Sequence, residues 1–148
     1  IGPLSSPALV KRQVVGVFDK KLIKIFANAW IVNSEDGLDE ISPYAITNVC
    51  QLINGEISNI IINPSELKIN TKGFDTILGK GANYNSQKII DIFKGEDNDF
   101  SIAVCLNAAA GLIVSGNKNN FKEAYHESRD HILSGKTLDH LKKIQNGN

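Results

Sequence analysis

Apolar residues recur in two rhythms along this chain, and the change from one to the other marks out its elements. QVVGV, at 13–17, is a short β-branched run. Asp19 follows as a helix N-cap, and Leu22, Ile23, Phe26 and Ala27 recur at helical spacing, which predicts an amphipathic helix over about 19–28. AWIV, at 29–32, returns to an unbroken apolar run and predicts a second buried strand. Strand, helix and strand in that order fit a βαβ unit with parallel strands. The pattern then changes to ITNVCQLINGEISNIIINP. Asn54-Gly55 between two β-rich segments is a strong hairpin signal, because both central residues of a type I′ turn need positive φ. Strands are therefore expected at 46–53 and 56–62, with Pro64 ending the second.

The second half carries the helical rhythm. Residues 65–84 are weakly patterned. Ile89, Ile90 and Phe93 mark a helix over about 85–94 that Gly95 ends. SIAVCLNAAAGLIV, within 100–115, is apolar nearly all round and reads as a buried helix, given its length and its three alanines in a row. An amphipathic helix is expected over 119–133, closed by Ser134-Gly135. Thr137 would cap a last one reaching about Ile144. The whole reads as an α/β chain: a mostly parallel sheet with an added β-hairpin, and helices packed on it. No repeat or linker divides residues 1–148.

Composition narrows the function. With 148 residues the chain suits one domain, and 42% hydrophobic residues suits a globular one. Sixteen basic and sixteen acidic side chains cancel, so no basic field draws nucleic acid or an anionic membrane. No apolar run nears the roughly 20 residues of a membrane span. Residues 1–10 lack the charged lead and apolar stretch of a signal peptide. Cys50 and Cys105 sit among apolar neighbours and read as reduced core thiols, which fits a cytoplasmic protein. The chain begins Ile1-Gly-Pro-Leu, with no methionine, and this reads like the interior of a longer protein.

The candidate chemistry centres on SEDGLDEIS, residues 34–42. Asp36, Asp39 and Glu40 follow the carboxyl end of a strand expected to be parallel, the edge where open α/β sheets bind ligands. Two explanations stand: a solvated acidic turn, or a site for Mg²⁺, which needs only one or two carboxylates beside water and substrate phosphates. Gly79 and Gly81, in LGKGANYN, suggest a phosphate loop, but the spacing matches no dinucleotide or Walker motif and a plain turn explains it better. His126 and His131 are five apart, not the four of a helical zinc pair, so they and His140 read as surface residues. Trp30 and Phe26 read as core.

Taken in order, the motifs resemble a known family. GPLSSPA at 2–8, QVVGV at 13–17, DGLDEIS at 36–42, Thr47-x-Val49 with NGEI at 54–57, and NPSEL at 63–67 come first. NYNS at 83–86, LNAAAGLIVSG at 106–116 and ILSGKTLDHL at 132–141 complete the series. It resembles the carboxyl-terminal part of the anthranilate phosphoribosyltransferases, of the nucleoside phosphorylase/phosphoribosyltransferase superfamily. The resemblance implies a partial catalytic domain from tryptophan biosynthesis. Its substrates would be phosphoribosyl pyrophosphate and anthranilate, its cofactor Mg²⁺, and its complete form a homodimer. It implies that Asp39 and Glu40 hold the metal, and that Gly2 and Pro3 line the anthranilate pocket. Family members usually carry His-Gly where this chain has Asn33-Ser34, Asn where it has Ser6, and Gly-Gly-Asp where it has Gly79-Lys80-Gly81. They bind the diphosphate through a Gly-Thr-Gly-Gly-Asp loop, and anthranilate partly through a Lys-His-Gly-Asn segment and an arginine. These precede the GPL motif and do not occur in the 148 residues, whose only arginines are Arg12 and Arg129. The resemblance thus implies that this chain alone is inactive. The alternative is a truncated, non-catalytic homologue acting as a binding or assembly module.

Overall fold

β-branched and aromatic residues place the strands, and one central strand carries the site. A computed structural model describes residues 12–16, 29–53 and 56–147. Its sheet has four strands in the order β1 (Gln13–Gly16), β2 (Ala29–Ser34), β3 (Thr47–Ile53) and β4 (Glu56–Ile62). All six residues of β2 are buried, as a strand with neighbours on both sides requires. β1 runs parallel to β2, with Gln13 opposite Ala29, as the βαβ pattern predicts. The helix expected over 19–28, the cap at Asp19, the core role of Phe26 and the Asn54-Gly55 turn lie outside the described residues. β3 and β4 pair antiparallel with Ile53 opposite Glu56, the register of a two-residue hairpin.

The α/β class and the added hairpin stand, but among the described residues the sheet is mixed rather than mostly parallel. β3 runs antiparallel to β2, so one pairing is parallel and two are antiparallel. The cause is the connection. A parallel return needs a crossover of about a dozen residues or more, whereas the acidic segment between Ser34 and Thr47 curls back on itself and feeds the next strand in reverse.

Four helices follow: α1 (Ala82–Phe93), α2 (Asp99–Val114), α3 (Phe121–Leu133) and α4 (Lys136–Gln145). α2 starts in a capping box, Asn98 accepting from the Ser101 amide while the Ser101 hydroxyl accepts from the Asn98 amide. It buries Ile102, Cys105, Leu106, Ala109 and Ala110 against Trp30, Val32 and Val49 of the sheet and Ala124 and Tyr125 of α3. The ring of Trp30 stacks on Phe121 at 6.0 Å between centroids. Burial of α2 is not complete: Val104, 41% exposed, lies with Ala108 and Gly111 on an outward stripe.

Local chemistry moves several boundaries. α1 begins at Ala82, three residues early, because Asn85 closes the preceding turn onto Lys80. Gly95 ends it at φ +95°, against the Leu133 carbonyl. α4 is entered through Gly135 at φ +74°, so Thr137 sits inside its first turn and does not cap it. The weakly patterned stretch holds two 3₁₀ turns, Pro64–Leu67 and Phe74–Ile77. On the far side of β4, Ile57 and Ile61 are 63% and 67% exposed.

Candidate functional site

β2 leaves the core at Ser34, and the three carboxylates that follow do not share one role. The loop folds on itself: the Ser34 amide donates to the Leu38 carbonyl (3.1 Å), the Gly37 amide to the Ser34 carbonyl (3.2 Å), and the Glu35 amide to the Ile46 carbonyl (2.9 Å). Gly37 adopts φ +91°, which a side chain would strain. Asp36 turns inward. It accepts from the Leu38 amide (3.3 Å) and from the Ser42 hydroxyl (2.5 Å). Ser42 is fully buried and accepts in turn from the amides of Tyr44 and Ala45, while its own amide donates to Thr47 Oγ1 (3.1 Å). Burial pushes the Asp36 carboxyl up, but hydrogen bonds from Ser42, Ser34 and the Leu38 amide outweigh it, and Asp36 stays below the usual carboxylate range. Asp36 is thus a brace.

Asp39 and Glu40 are different. Both are exposed at the carboxyl edge of the parallel pair β1–β2, as Asp36 is, but neither side chain bonds to a described residue. Two contacts grip the main chain, one at Asp39 itself and one directly after Glu40. A Cβ built on Gly16, the last residue of β1, would lie 1.6 Å from the Asp39 carbonyl oxygen, so the backbones meet where no side chain fits. On the other flank the Ile41 amide donates to Asn107 Oδ1 (3.0 Å), and Asn107 Nδ2 donates to the Ile41 carbonyl (3.2 Å) and to the Ala103 carbonyl (3.0 Å). Ser42 ties the end of the loop down through its buried hydrogen-bond network.

A second carboxylate ties the neighbouring loops together. Asp99, 4% exposed at the start of α2, accepts at Oδ2 from the amides of Lys72 (2.8 Å) and Gly73 (3.2 Å) and the hydroxyls of Thr76 (2.7 Å) and Tyr44 (2.9 Å). Burial pushes its carboxyl up, but these donors overcome it and hold it below the ordinary value. Burial first, then the Asp99 charge, pushes the Tyr44 phenol up to about 12, although Thr76 pulls it down. Asp99→Ala orphans four donors, and a loss of about 2–3 kcal/mol is expected from urea unfolding. The sign of the pH effect follows from the lowered value. The Asp99 contribution is fully present above the unfolded carboxyl's pKa of about 4 and is lost as pH falls through the folded one. Urea midpoints from pH 6 to pH 2.5 are expected to bring wild type and Asp99→Asn together at the acid end and apart above pH 4; parallel curves would show that the ionised form contributes nothing.

The other sequence candidates divide by position. Gly2 and Pro3, the residues implied for the substrate wall, lie outside the described residues. Gly79-Lys80-Gly81 forms the turn into α1, closed by Asn85, rather than an open phosphate cradle. His126, His131 and His140 are exposed. Cys50 and Cys105 are free and buried, and burial pushes the Cys105 thiol up to about 11, which makes it inert. Among the described residues no three His, Cys, Asp or Glu side chains converge as a metal cage. Two adjacent carboxylates still suit Mg²⁺, which takes one or two and completes its shell with water and phosphate oxygens. Gly16, Asn107 and Asp99 were not singled out by sequence. The signal for Asn107 was its polarity inside an apolar helix; Gly16 gave none beyond being a glycine at a strand end.

Comparison with known proteins places this geometry. Residues 1–138 match the model of the "Glycosyl transferase family, a/b domain". The chain belongs to that family. Within it, the chain is 64% identical over 155 aligned residues to a protein of Pelagibacter ubique named anthranilate phosphoribosyltransferase, covering 99% of this chain and 47% of the relative. A protein of the same name from Clostridium kluyveri is 35% identical over 157, covering all of this chain and 47% of the relative. The chain thus spans about half the length of these curated glycosyl transferase relatives. Among solved structures, an anthranilate phosphoribosyltransferase from Thermus thermophilus superposes with a TM-score of 0.81 at 25% identity, over 96% of this chain and 44% of that one. The Saccharomyces cerevisiae enzyme in complex with PRPP and Mg gives 0.80 at 23% identity, over 95% and 44%. The α/β fold is therefore that of this glycosyl transferase family. No helix among the described residues is long and apolar enough to cross a membrane.

Proposed function

We propose that this chain supplies the metal-holding part of an enzyme that transfers phosphoribosyl from phosphoribosyl pyrophosphate to the amine of anthranilate. One observation carries the reading. Of three exposed carboxylates in one loop, Asp36 is consumed as a brace, while the side chains of Asp39 and Glu40 bond to no described residue. The similarity to relatives named for this reaction, at 64% and 35% identity, supports it. The reaction forms a bond from the anthranilate nitrogen to ribose C1 as the C1–O bond to pyrophosphate breaks, and the amine gives up a proton. Asp39 and Glu40 would hold Mg²⁺, which supplies neutralisation of the charge gathering on the departing pyrophosphate. The chain's own part is to hold the two carboxylates exposed and their main chain fixed. The phosphate loop and the remaining anthranilate contacts, with Gly2 and Pro3, would complete the site in a protein of the relatives' length.

The test compares two forms. The natural-length protein is expected to consume anthranilate with phosphoribosyl pyrophosphate and Mg²⁺, and the isolated 148 residues are expected to show no turnover. Consumption by the isolated chain would overturn the need for the other half. No transfer by the natural-length protein would overturn the enzyme and leave a binding or assembly module.

A further inference from the structure

We infer that Asn107 is the positioning residue of the acidic pair: its carboxamide takes the place of a neighbouring strand for the Ile41 peptide and so fixes the direction in which Asp39 and Glu40 leave the loop. The inference rests on the metal reading proposed above. Asn107 sits in the middle of an apolar helix, where asparagine is a weaker helix former than the alanines around it. Three of its four hydrogen-bonding positions are nonetheless used. Oδ1 accepts from the Ile41 amide, and the two Nδ2 hydrogens go to the carbonyls of Ile41 and Ala103. One donor and one acceptor on the same planar group match the N–H and C=O of one residue, as an adjacent strand would. Ile41 is fully buried, so water cannot stand in.

The placement makes this more than a packing detail. Ile41 directly follows Glu40, and the carbonyl of Asp39 is the group that Gly16 faces. The two grips therefore fall on the main chain of Asp39 itself and directly after Glu40. No hydrogen bond or ion pair with a described residue restrains either side chain. Their aim is set by the main chain alone, and Asn107 is the side chain that sets it. A shift of about 1 Å in a positioned group costs on the order of 100-fold in rate.

The experiment uses the natural-length protein with Asn107→Leu, which keeps the branched shape and removes all three bonds, and Asn107→Asp, which keeps the acceptor for Ile41. Two readouts are taken well below the melting temperature: amide hydrogen exchange, and the affinity for Mn²⁺ with inorganic pyrophosphate. In Asn107→Leu the amides of residues 39–41 are expected to exchange at least tenfold faster, while Leu106, Ala109 and Ala110 in α2 keep their protection. Mn²⁺ binding is expected to weaken about tenfold in Asn107→Leu and less in Asn107→Asp. Unchanged Mn²⁺ affinity beside a loosened loop would overturn the inference, as would a uniform rise in exchange through α2. Should Asn107→Leu fail to fold, Asn107→Asp decides on the same two readouts: faster exchange at 39–41 with weaker Mn²⁺ binding supports the inference, and wild-type values overturn it. Absence of Mn²⁺ binding in the wild type would sink the metal reading by itself. The exchange rates at 39–41 would then still decide whether Asn107 positions the loop.

Discussion

Asp39→Ala combined with Glu40→Gln is expected to leave the natural-length protein folded and to lower its turnover at limiting Mg²⁺ by roughly 10²–10³-fold. That is the range seen when charge stabilisation of a transition state is removed. The prediction follows from the separation of roles within one loop. Both side chains are exposed and bond to no described residue, so their loss is expected to change stability by no more than about 0.5 kcal/mol. Asp36 is the internal control. Asp36→Asn weakens the bond to Ser42 and acts on the folding of the loop, with turnover following stability. Excess Mg²⁺ is expected to restore part of the rate in Asp39→Ala alone, where one carboxylate remains. Near-normal turnover of the double variant at limiting Mg²⁺ would refute the assignment of the pair, whatever its effect on folding.

Gly16→Ala is expected to damage both stability and catalysis, although it adds one methyl group at a strand end. The new Cβ would meet the Asp39 carbonyl oxygen at 1.6 Å and its carbon at 2.6 Å. These are backbone atoms and cannot rotate aside. The loop or the end of β1 must retreat by on the order of 1–2 Å to restore van der Waals distance. Overpacking of this kind costs about 1–3 kcal/mol, and a displacement of that size in the positioned pair costs on the order of 100-fold in rate. Urea unfolding and steady-state kinetics on the same preparation measure the two effects. A Gly16→Ala protein with the wild-type urea midpoint and turnover would mean that the close approach does not hold the loop.

How much of this was legible in the sequence depends on how local the cause is. The strands expected at 13–17 and 29–32, found at 13–16 and 29–34, the hairpin pairing and the helices around Ile89, Leu106 and Tyr125 each follow from spacing over a few residues. Strand direction does not. Whether β3 runs with or against β2 depends on how residues 35–46 fold back, and periodicity carries no such information. The candidate site divides along the same line. The acidic pair stands out as residue types in a row. The atoms that hold it lie far off in sequence: Asn107 is 66 positions from Ile41, and the Asp99 carboxylate is 55 from Tyr44. A glycine at the end of β1 looks like any glycine until the opposing carbonyl is in view.

One helix thus grips the segment around the acidic loop at two places. Asp99 holds Tyr44, and eight residues later Asn107 holds Ile41. Each residue advances an α-helix by about 100°, so a single insertion or deletion between these two positions would turn one of them away from its partner. Length changes can be absorbed in the turns around Gly116 and Gly135, where only the helix ends are affected. Between 99 and 107 they cannot. In genetic terms this short span tolerates substitutions on its exposed face, such as at Val104, but admits no change of length, and its reading is fixed from a loop more than fifty residues away.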